Sequence, residues 1–352
     1  MTKIRKSSHV QNLERLFGSA IFNIFAPMKK KSVLVLGGSG FIGRHLIEKQ
    51  IALGNEVVSV DVVQPAIDAP SSFHFFNADL RKDSFIEELK TFHFDEIFQL
   101  AADMGGAGYV FSGENDADIM LNSAQINLNV LKATQIWDFK GTLFFASSAC
   151  IYPQESQTDE QHPNCAEEIA YPANPDSDYG WEKLFAERLF SAFHRNKHVS
   201  VRIARFHNIY GPYGIFDGGK EKAPAAICRK VALAQDGDFI ELWGDGNQTR
   251  SFLYIDDAID ALLKLMDSSF SEPINIGSEE MVSINELAHI TIQLSGKNLG
   301  LKHIDGPVGV RGRNSSNRLI EKELDWHVKT PLREGMKNTY AWIQKTMETH
   351  GN

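Results

Sequence analysis

The stretch VLVLGGSGFIGRHL, residues 33–46, constrains the fold of this chain more than any other segment. A continuous apolar run of strand length stops at Gly37. Gly38, Gly40 and Gly43 follow, and then a segment with helical spacing begins. The four glycines satisfy both G-x-x-G-x-x-G and G-x-G-x-x-G. A glycine pattern alone is weak, because tight turns without a nucleotide also use glycine. Between a strand and a helix it carries a mechanism: the backbone can approach a pyrophosphate, and the free N–H groups of the helix start face the anion.

The rest of the first half repeats the rhythm. EVVSVD, SFHFF, EIFQLAA, TLFFASS and VSVRIARF are short apolar runs. Helical spacing fills Phe41 to Leu53, Ser84 to Thr91, Ile119 to Trp137 and Tyr179 to Asn196. Continuous apolar strands alternating with helices predict an α/β chain: a Rossmann-type doubly wound parallel sheet, covered on both faces. After Asn208 the pattern changes to IYGPYGIFDGGKEKAP, a long Gly- and Pro-rich stretch expected to be an ordered, functional loop. Short strands (FIELWG, PINIGS) and helices (Asp256 to Met266, Ile284 to Leu294) follow. We expect a cofactor-binding domain over residues 31–208 and a smaller mixed α/β substrate domain over 209–352. Residues 250–266 are expected to return to the first domain.

Asp61 closes the second expected strand. A carboxylate there can accept both ribose hydroxyls of NAD and repels a 2'-phosphate, which points to NAD as the cofactor. The expected cofactor set is Gly37, Gly40, Phe41, Ile42, Gly43, Asp61, Asp79, Leu80 and Ala101, with Tyr179 and Lys183. Asp79 reaches toward the adenine side or is simply a turn aspartate.

YGWEK places Tyr179 and Lys183 at i and i+4 on one helical face. A free tyrosine titrates near ~10 and is a poor base at neutral pH. A neighbouring ammonium and a positive nicotinamide ring favour the phenolate. Ser148, at the end of the fifth strand, can share the same substrate hydroxyl. Alone, Tyr-x-x-x-Lys is often just a solvated helix face; after the glycine motif and a strand-end serine it reads as a hydride-transfer site.

With these residues the chain resembles the extended short-chain dehydrogenase/reductase superfamily. The blocks LAADMGGAG, SSACIYP, YGWEKLFAE, RFHNIYGPYG, GGKEKAPAAICRK, WGDGNQTRSF, GSEEMVSINELA and GPVGVRGRNSSN resemble the GDP-mannose 3,5-epimerase family within it, from about Lys31 to about Leu332. The resemblance implies that a C4 ketone acidifies the C–H bonds at C3 and C5 of a GDP-sugar. Cys150 is then the base, and Lys222 the acid on the other face. Without the resemblance, Cys150 would read equally well as a buried small hydrophobe. The implied substrate contacts are Gly105, Ser148, Ala149, Cys150, Asn208, Glu221, Lys222, Ala223, Lys230, Gln248, Arg250 and Arg313; the guanidinium fork of an arginine suits a diphosphate. One departure stands out: the family often has Trp-Lys where this chain has Phe216-Asp217. The rival expectations are C4 oxidation or a single epimerisation of a related sugar such as a GDP-heptose, and a catalytically silent NAD-binding sensor.

Composition adds exclusions. A formal charge of -9 argues against broad nucleic-acid binding. The three cysteines are widely spaced and odd in number, which fits free thiols in the cytoplasm, with no disulfide framework and no metal site. The apolar patch from Leu16 to Ala26 is too short to span a bilayer, so no stable membrane insertion is expected. Residues 1–30 read as a loosely ordered extension, or as an early start with Met28 as the working one. A surface anchor is the lesser reading. A homodimer through the helix carrying Tyr179 and the one before it is expected by resemblance.

Overall fold

A computed structural model describes residues 30–68 and 70–350, so the expectation for the N-terminal extension lies outside the described residues. The chain runs β1 (Ser32–Leu36), α1 (Phe41–Ala52), β2 (Glu56–Asp61), β3 (Phe73–Asn77), α2 (Ser84–Glu88), β4 (Glu96–Gln99), α3 (Ala107–Val110), α4 (Asp116–Ile136), β5 (Thr142–Ser148), α5 (Asp178–Lys197) and β6 (Ser200–Phe206). These strands and one later one form a seven-stranded sheet in the order β11-β6-β5-β4-β1-β2-β3, with β11 at Ile274–Ile276. Every pairing in it is parallel.

The strand sequences explain why both faces are covered. Successive side chains of a strand point to opposite faces. In β1, Val33 and Val35 join a core cluster with Leu46 and Ile47 of α1, whereas Leu34 and Leu36 join a second cluster with Ile126 and Val130 of α4 and Phe190 of α5. A strand buried on both sides must be apolar at every position, as the sequence pattern required.

The sheet order reverses beside β1, whose neighbours are β4 and β2. The crevice beyond the C-terminal ends of β1 and β4 is therefore the switch point where α/β sheets bind ligands. Gly37 follows β1 there, and Ala101 follows β4.

Beyond β6 the chain makes β7 (Ile209–Tyr210), a loop over 211–222, α6 (Ala223–Leu233), β8 (Phe239–Trp243), β9 (Thr249–Ser251) and β10 (Leu253–Tyr254). α7 (Ile255–Asp267) leads into β11; its Ile259 and Leu262 belong to the α1 core cluster. The remainder is β12 (Met281–Ser283), α8 (Ile284–Ser295), β13 (Gly300–Ile304), β14 (Gly312–Arg313), α9 (Arg318–Leu324) and α10 (Leu332–His350). Here β8 pairs with β13, and β9 with both β12 and β14. Segment 253–276 thus returns to the main sheet, and β11 adds its edge strand. No described helix is long and apolar enough to cross a membrane.

Candidate active site

α1 starts at Gly40 with no side-chain cap and no acidic residue in its first turn. Its leading N–H groups are free to face an anion, which is what a pyrophosphate requires. Gly37 holds φ +83°, a left-handed conformation that a side chain would strain. Asp61 accepts backbone N–H bonds from Ser39 (2.9 Å) and Val62 (2.7 Å). These bonds fix its carboxylate beside the glycine loop, with lone pairs left for ribose hydroxyls. Asp79 is gripped by Arg81 at 2.8 and 2.9 Å, and that bond holds its carboxyl below the usual range. Leu80 is buried, and its carbonyl accepts from Asn129. The residues present therefore fit a dinucleotide.

Next to this groove lies a cavity of about 440 Å³. Its wall contains Gly105, Ser148, Ala149, Cys150, Tyr179, Asn208, Glu221, Lys222, Ala223, Lys230, Gln248, Arg250 and Arg313. All the expected substrate contacts thus meet on one cavity, though they come from seven separate segments of sequence. Arg229, Trp243, Phe111 and Val308 also line it and were missed. Only Arg229 had a sequence signal, as the neighbour of Lys230.

β5 delivers Ser148 to the floor. The Ser148 hydroxyl accepts the Cys150 N–H at 3.2 Å, which turns the chain into a short 3-10 helix and presents the thiol. α5 begins just opposite, capped by the Ser177 hydroxyl on the Gly180 N–H at 3.3 Å. Gly180 is required at that point: a Cβ there would lie 2.2 Å from the Cys150 carbonyl oxygen. Close approach of the two segments puts Tyr179 beside Ser148 and Cys150.

Burial pushes the Tyr179 phenol up, with the neighbouring Cys150 charge adding to it and the Ser148 bond opposing. The Lys183 ammonium sits 5.7 Å from the Tyr179 ring centroid and 3.7 Å from Glu182 Oε2. Glu182 Oε1 accepts from Asn127 (2.9 Å), whose own amide oxygen accepts from Gln99 at the end of β4 (2.9 Å). This buried chain ties the Lys183 side chain to the cofactor crevice; sequence spacing gave no hint of Asn127 or Gln99.

Lys222 occupies the N-cap of α6 and faces the same cavity. Burial lowers its pKa, a Cys150 charge opposing, and among the described residues its ammonium has no ion-pair partner. A half-buried ammonium without an ion-pair partner, facing a cavity, is a ready proton donor. The loop that carries it is clasped to residues 103–109. Gly106 N–H donates to the Lys220 carbonyl at 2.9 Å, and the Lys220 ammonium lies 3.9 Å from the Tyr109 ring centroid.

The cationic groups are partly committed. Arg250 donates to the carbonyls of Thr249, Val308 and Val310, and burial pushes its pKa down to about 10. Lys230 donates to the Glu241 carbonyl at 2.6 Å. Arg313 donates to Cys150 Sγ at 3.0 Å, Asp176 at 2.6 Å and Gln157 at 2.5 Å. Gln248 gives its amide N–H to the Trp243 carbonyl, and its buried Oε1 has no protein partner. Asn208, at φ 42°, donates to the Ser251 carbonyl, and Glu221 accepts the Gly219 N–H.

Comparison with known proteins follows the same lines. Residues 33–277 match the NAD dependent epimerase/dehydratase family. The chain is 42% identical to GDP-mannose 3,5-epimerase 1 of Oryza sativa subsp. indica over 325 residues, 92% of this chain and 84% of that one. It is also 42% identical to GDP-mannose 3,5-epimerase of Arabidopsis thaliana over 324 residues, with the same coverage. Among solved structures, UDP-glucose 4-epimerase of Thermotoga maritima, determined with UDP-glucose, aligns with a TM-score of 0.77 at 24% identity. It covers 90% of this chain and 99% of that one. The Thermus thermophilus UDP-glucose 4-epimerase in complex with NAD aligns with a TM-score of 0.76 at 22% identity, covering 89% and 99%. At these identities the structures speak for the fold.

Proposed function

Because the chain belongs to the NAD dependent epimerase/dehydratase family, we propose that it inverts C3 and C5 of GDP-mannose through a 4-keto intermediate, giving GDP-L-galactose or GDP-L-gulose. It is an NAD-dependent nucleotide-sugar epimerase. The finer assignment rests on one observation above all: Cys150 and Lys222 face the same cavity from different elements, and Tyr179 and Ser148 share it. A simple C4 epimerase needs only the last two.

When bound, NAD would supply the hydride acceptor for the C4 hydrogen and its later donor. The α1 N-terminus and Asp61 would hold its pyrophosphate and ribose, and Asp79, Leu80 and Ala101 would flank its adenine side. Ser148 and Tyr179 take and hold the proton of the C4 hydroxyl. Cys150 removes the proton alpha to the resulting ketone, and the electron pair is delocalised into that carbonyl. Lys222 delivers a proton to the opposite face of the same carbon. The clasped loops 103–109 and 217–222 keep water off the enolate. Lys230, Gln248 and Arg250 would hold the nucleotide end. Residues 31–208 and the returning segment would form the cofactor lobe, and the remainder the sugar-nucleotide lobe.

A second substrate is favoured by one feature. Asp217, the departure from the family pattern, lies 3.6 Å from the cavity-lining Arg229. It adds a second carboxylate to a cation that Glu221 already pairs at 3.5 Å, so a related GDP-sugar such as a GDP-heptose, oxidised at C4 or epimerised once, is the alternative. Leu121 and Leu128 of α4 and Trp181 and Phe185 of α5 are exposed large apolar groups. Such a patch supports a homodimer through these two helices. Free thiols support a cytoplasmic location.

Incubating the enzyme with GDP-mannose in heavy water tests the chemistry. Deuterium should appear at C3 and C5 and not at C4, because hydride on NAD never meets solvent. Oxidation without incorporation would leave the C4-acting alternative, and no turnover at all would point to a silent sensor.

A further inference from the structure

We propose that Arg313, held in place by Asp176, belongs to the acid/base machinery: it stabilises the thiolate of Cys150 instead of serving the substrate diphosphate. The inference rests on the assignment of Cys150 as the base.

Three observations carry it. First, the fork of Arg313 is already distributed: Nη1 donates to Cys150 Sγ at 3.0 Å, Nη2 to Asp176 Oδ2 at 2.6 Å and Nε to Gln157 Oε1 at 2.5 Å. The parallel Nε and Nη2 edge that would grip a phosphate bidentately is occupied by protein. Second, the arrangement is deeply buried. Arg313 is 5% exposed, and the Asp176 side chain 4%. Three of the five Arg313 N–H donors are directed at these protein groups, and buried bonds of this kind do not reorganise cheaply. Third, the local charges are unbalanced without a second anion. Arg250 and Arg313 lie near one carboxylate, Asp176, and two thiols, Cys150 and Cys165, of which Cys150 lines the cavity. Burial alone would lower the Arg313 pKa; the charges of Cys150 and Asp176 outweigh it and raise it. A guanidinium donor bonds a thiolate far more strongly than a thiol, and Nη1 is aimed at Sγ.

The proton count is simple. The thiolate takes the proton alpha to the C4 ketone and becomes a thiol, and the electron pair stays on the sugar as an enolate. The Lys222 ammonium protonates the other face and becomes an amine. Both reset by exchange with solvent, and Arg313 remains charged throughout. Asp176 is a positioning residue: it holds the guanidinium in the plane that points Nη1 at Sγ.

Alkylation by iodoacetamide reads the thiolate directly, in NAD-loaded full-length enzyme without nucleotide sugar. Cys165 and Cys228 are buried, and their thiols are pushed up to about 11 and about 12, so labelling at pH 7 reports Cys150. Mass spectrometry locates the adduct. Arg313→Gln should slow alkylation at least about tenfold, the effect of one unit of proton affinity. Arg313→Lys should be intermediate. A purely structural arginine predicts the opposite, because a smaller side chain opens access to the sulfur. An equal or faster rate in Arg313→Gln would overturn the proposal. If that variant does not fold, an equal or faster rate in Arg313→Lys overturns it on the same criterion. The readout uses no sugar, so it is separable from the heavy-water experiment. Slowed alkylation without deuterium incorporation sinks the epimerase chemistry and keeps the Arg313–Cys150 pair; the reverse result sinks the pair alone.

Discussion

Replacing His207 by glutamine should flatten the acid limb of the stability curve. His207 follows β6 and is completely buried. Its Nε2 lies 3.0 Å from Asn275 Oδ1, which also accepts the Tyr152 hydroxyl at 2.6 Å. An oxygen acceptor calls for a proton on Nε2, so the ring is neutral with an unprotonated Nδ1, and Nδ1 has no protein partner. Burial pushes the imidazole down to about 3; the Asn275 bond opposes this, and the charges of Arg313 and Arg205 reinforce it. In the unfolded chain a histidine titrates near ~6.5. Between ~6.5 and about 3 the unfolded state therefore holds a proton that the folded state refuses. The stability from this group is fully present above ~6.5 and is lost as pH falls, at about 1.4 kcal/mol per unit. Down to pH 4.5, two units below the unfolded value, the loss is about 2.7 kcal/mol. Urea unfolding followed by circular dichroism, from pH 7.5 to 4.5 at constant ionic strength, measures it in both proteins. Glutamine gains no proton in this range. It is free to lower stability at every pH, but the gap between the two curves should close by roughly 2–3 kcal/mol toward pH 4.5, since all other titrating groups cancel. Parallel curves would refute a buried neutral ring at 207.

Glu187→Gln should cost about 3–5 kcal/mol in the same assay, because it leaves Arg205 buried without its counter-charge. Replacing both by Leu and Met should cost much less, and a single-variant loss below about 1 kcal/mol would refute the pair's role. Gly43→Ala should weaken NAD binding about 5- to 150-fold, since overpacking strains a close-packed contact by roughly 1–3 kcal/mol. The added Cβ would lie 2.3 Å from the Gly37 carbonyl and 2.7 Å from Gly38 Cα, so α1 must move off the glycine loop. Unchanged affinity by calorimetric titration counts against it. The wild-type protein, stripped of cofactor, should bind NAD more tightly than NADP, and Asp61→Ser should narrow the difference. Equal affinities in the wild type would mean that Asp61 does not face the ribose.

The parts of this protein that the sequence determined by itself are local in the chain. The β1–glycine–α1 unit is contiguous, and its apolar run and glycines describe one turn of backbone at one helix start. Tyr179 and Lys183 share a face because of helix pitch, and the two-sided apolar strands announce a covered parallel sheet. Several cavity residues were reachable only through whole blocks that resemble a family, because no spacing rule links Cys150 to Lys222. What the tertiary structure decided is how distant polar groups are spent. Arg313 meets Cys150 across 163 positions, and Tyr152 meets Asn275 across 123. Lys183 is held by a chain that begins at Gln99, and β11 returns to the edge of the sheet beside β6. The reason is physical. Periodicity reports which side of an element is apolar, and it says nothing of which buried donor will face which buried acceptor. That choice is made when layers pack, because a buried polar group must find its partner among whatever the other elements bring. An arginine in a sequence reads as a cation for a diphosphate; only the packed structure shows three of its N–H donors directed at a thiol, a carboxylate and an amide.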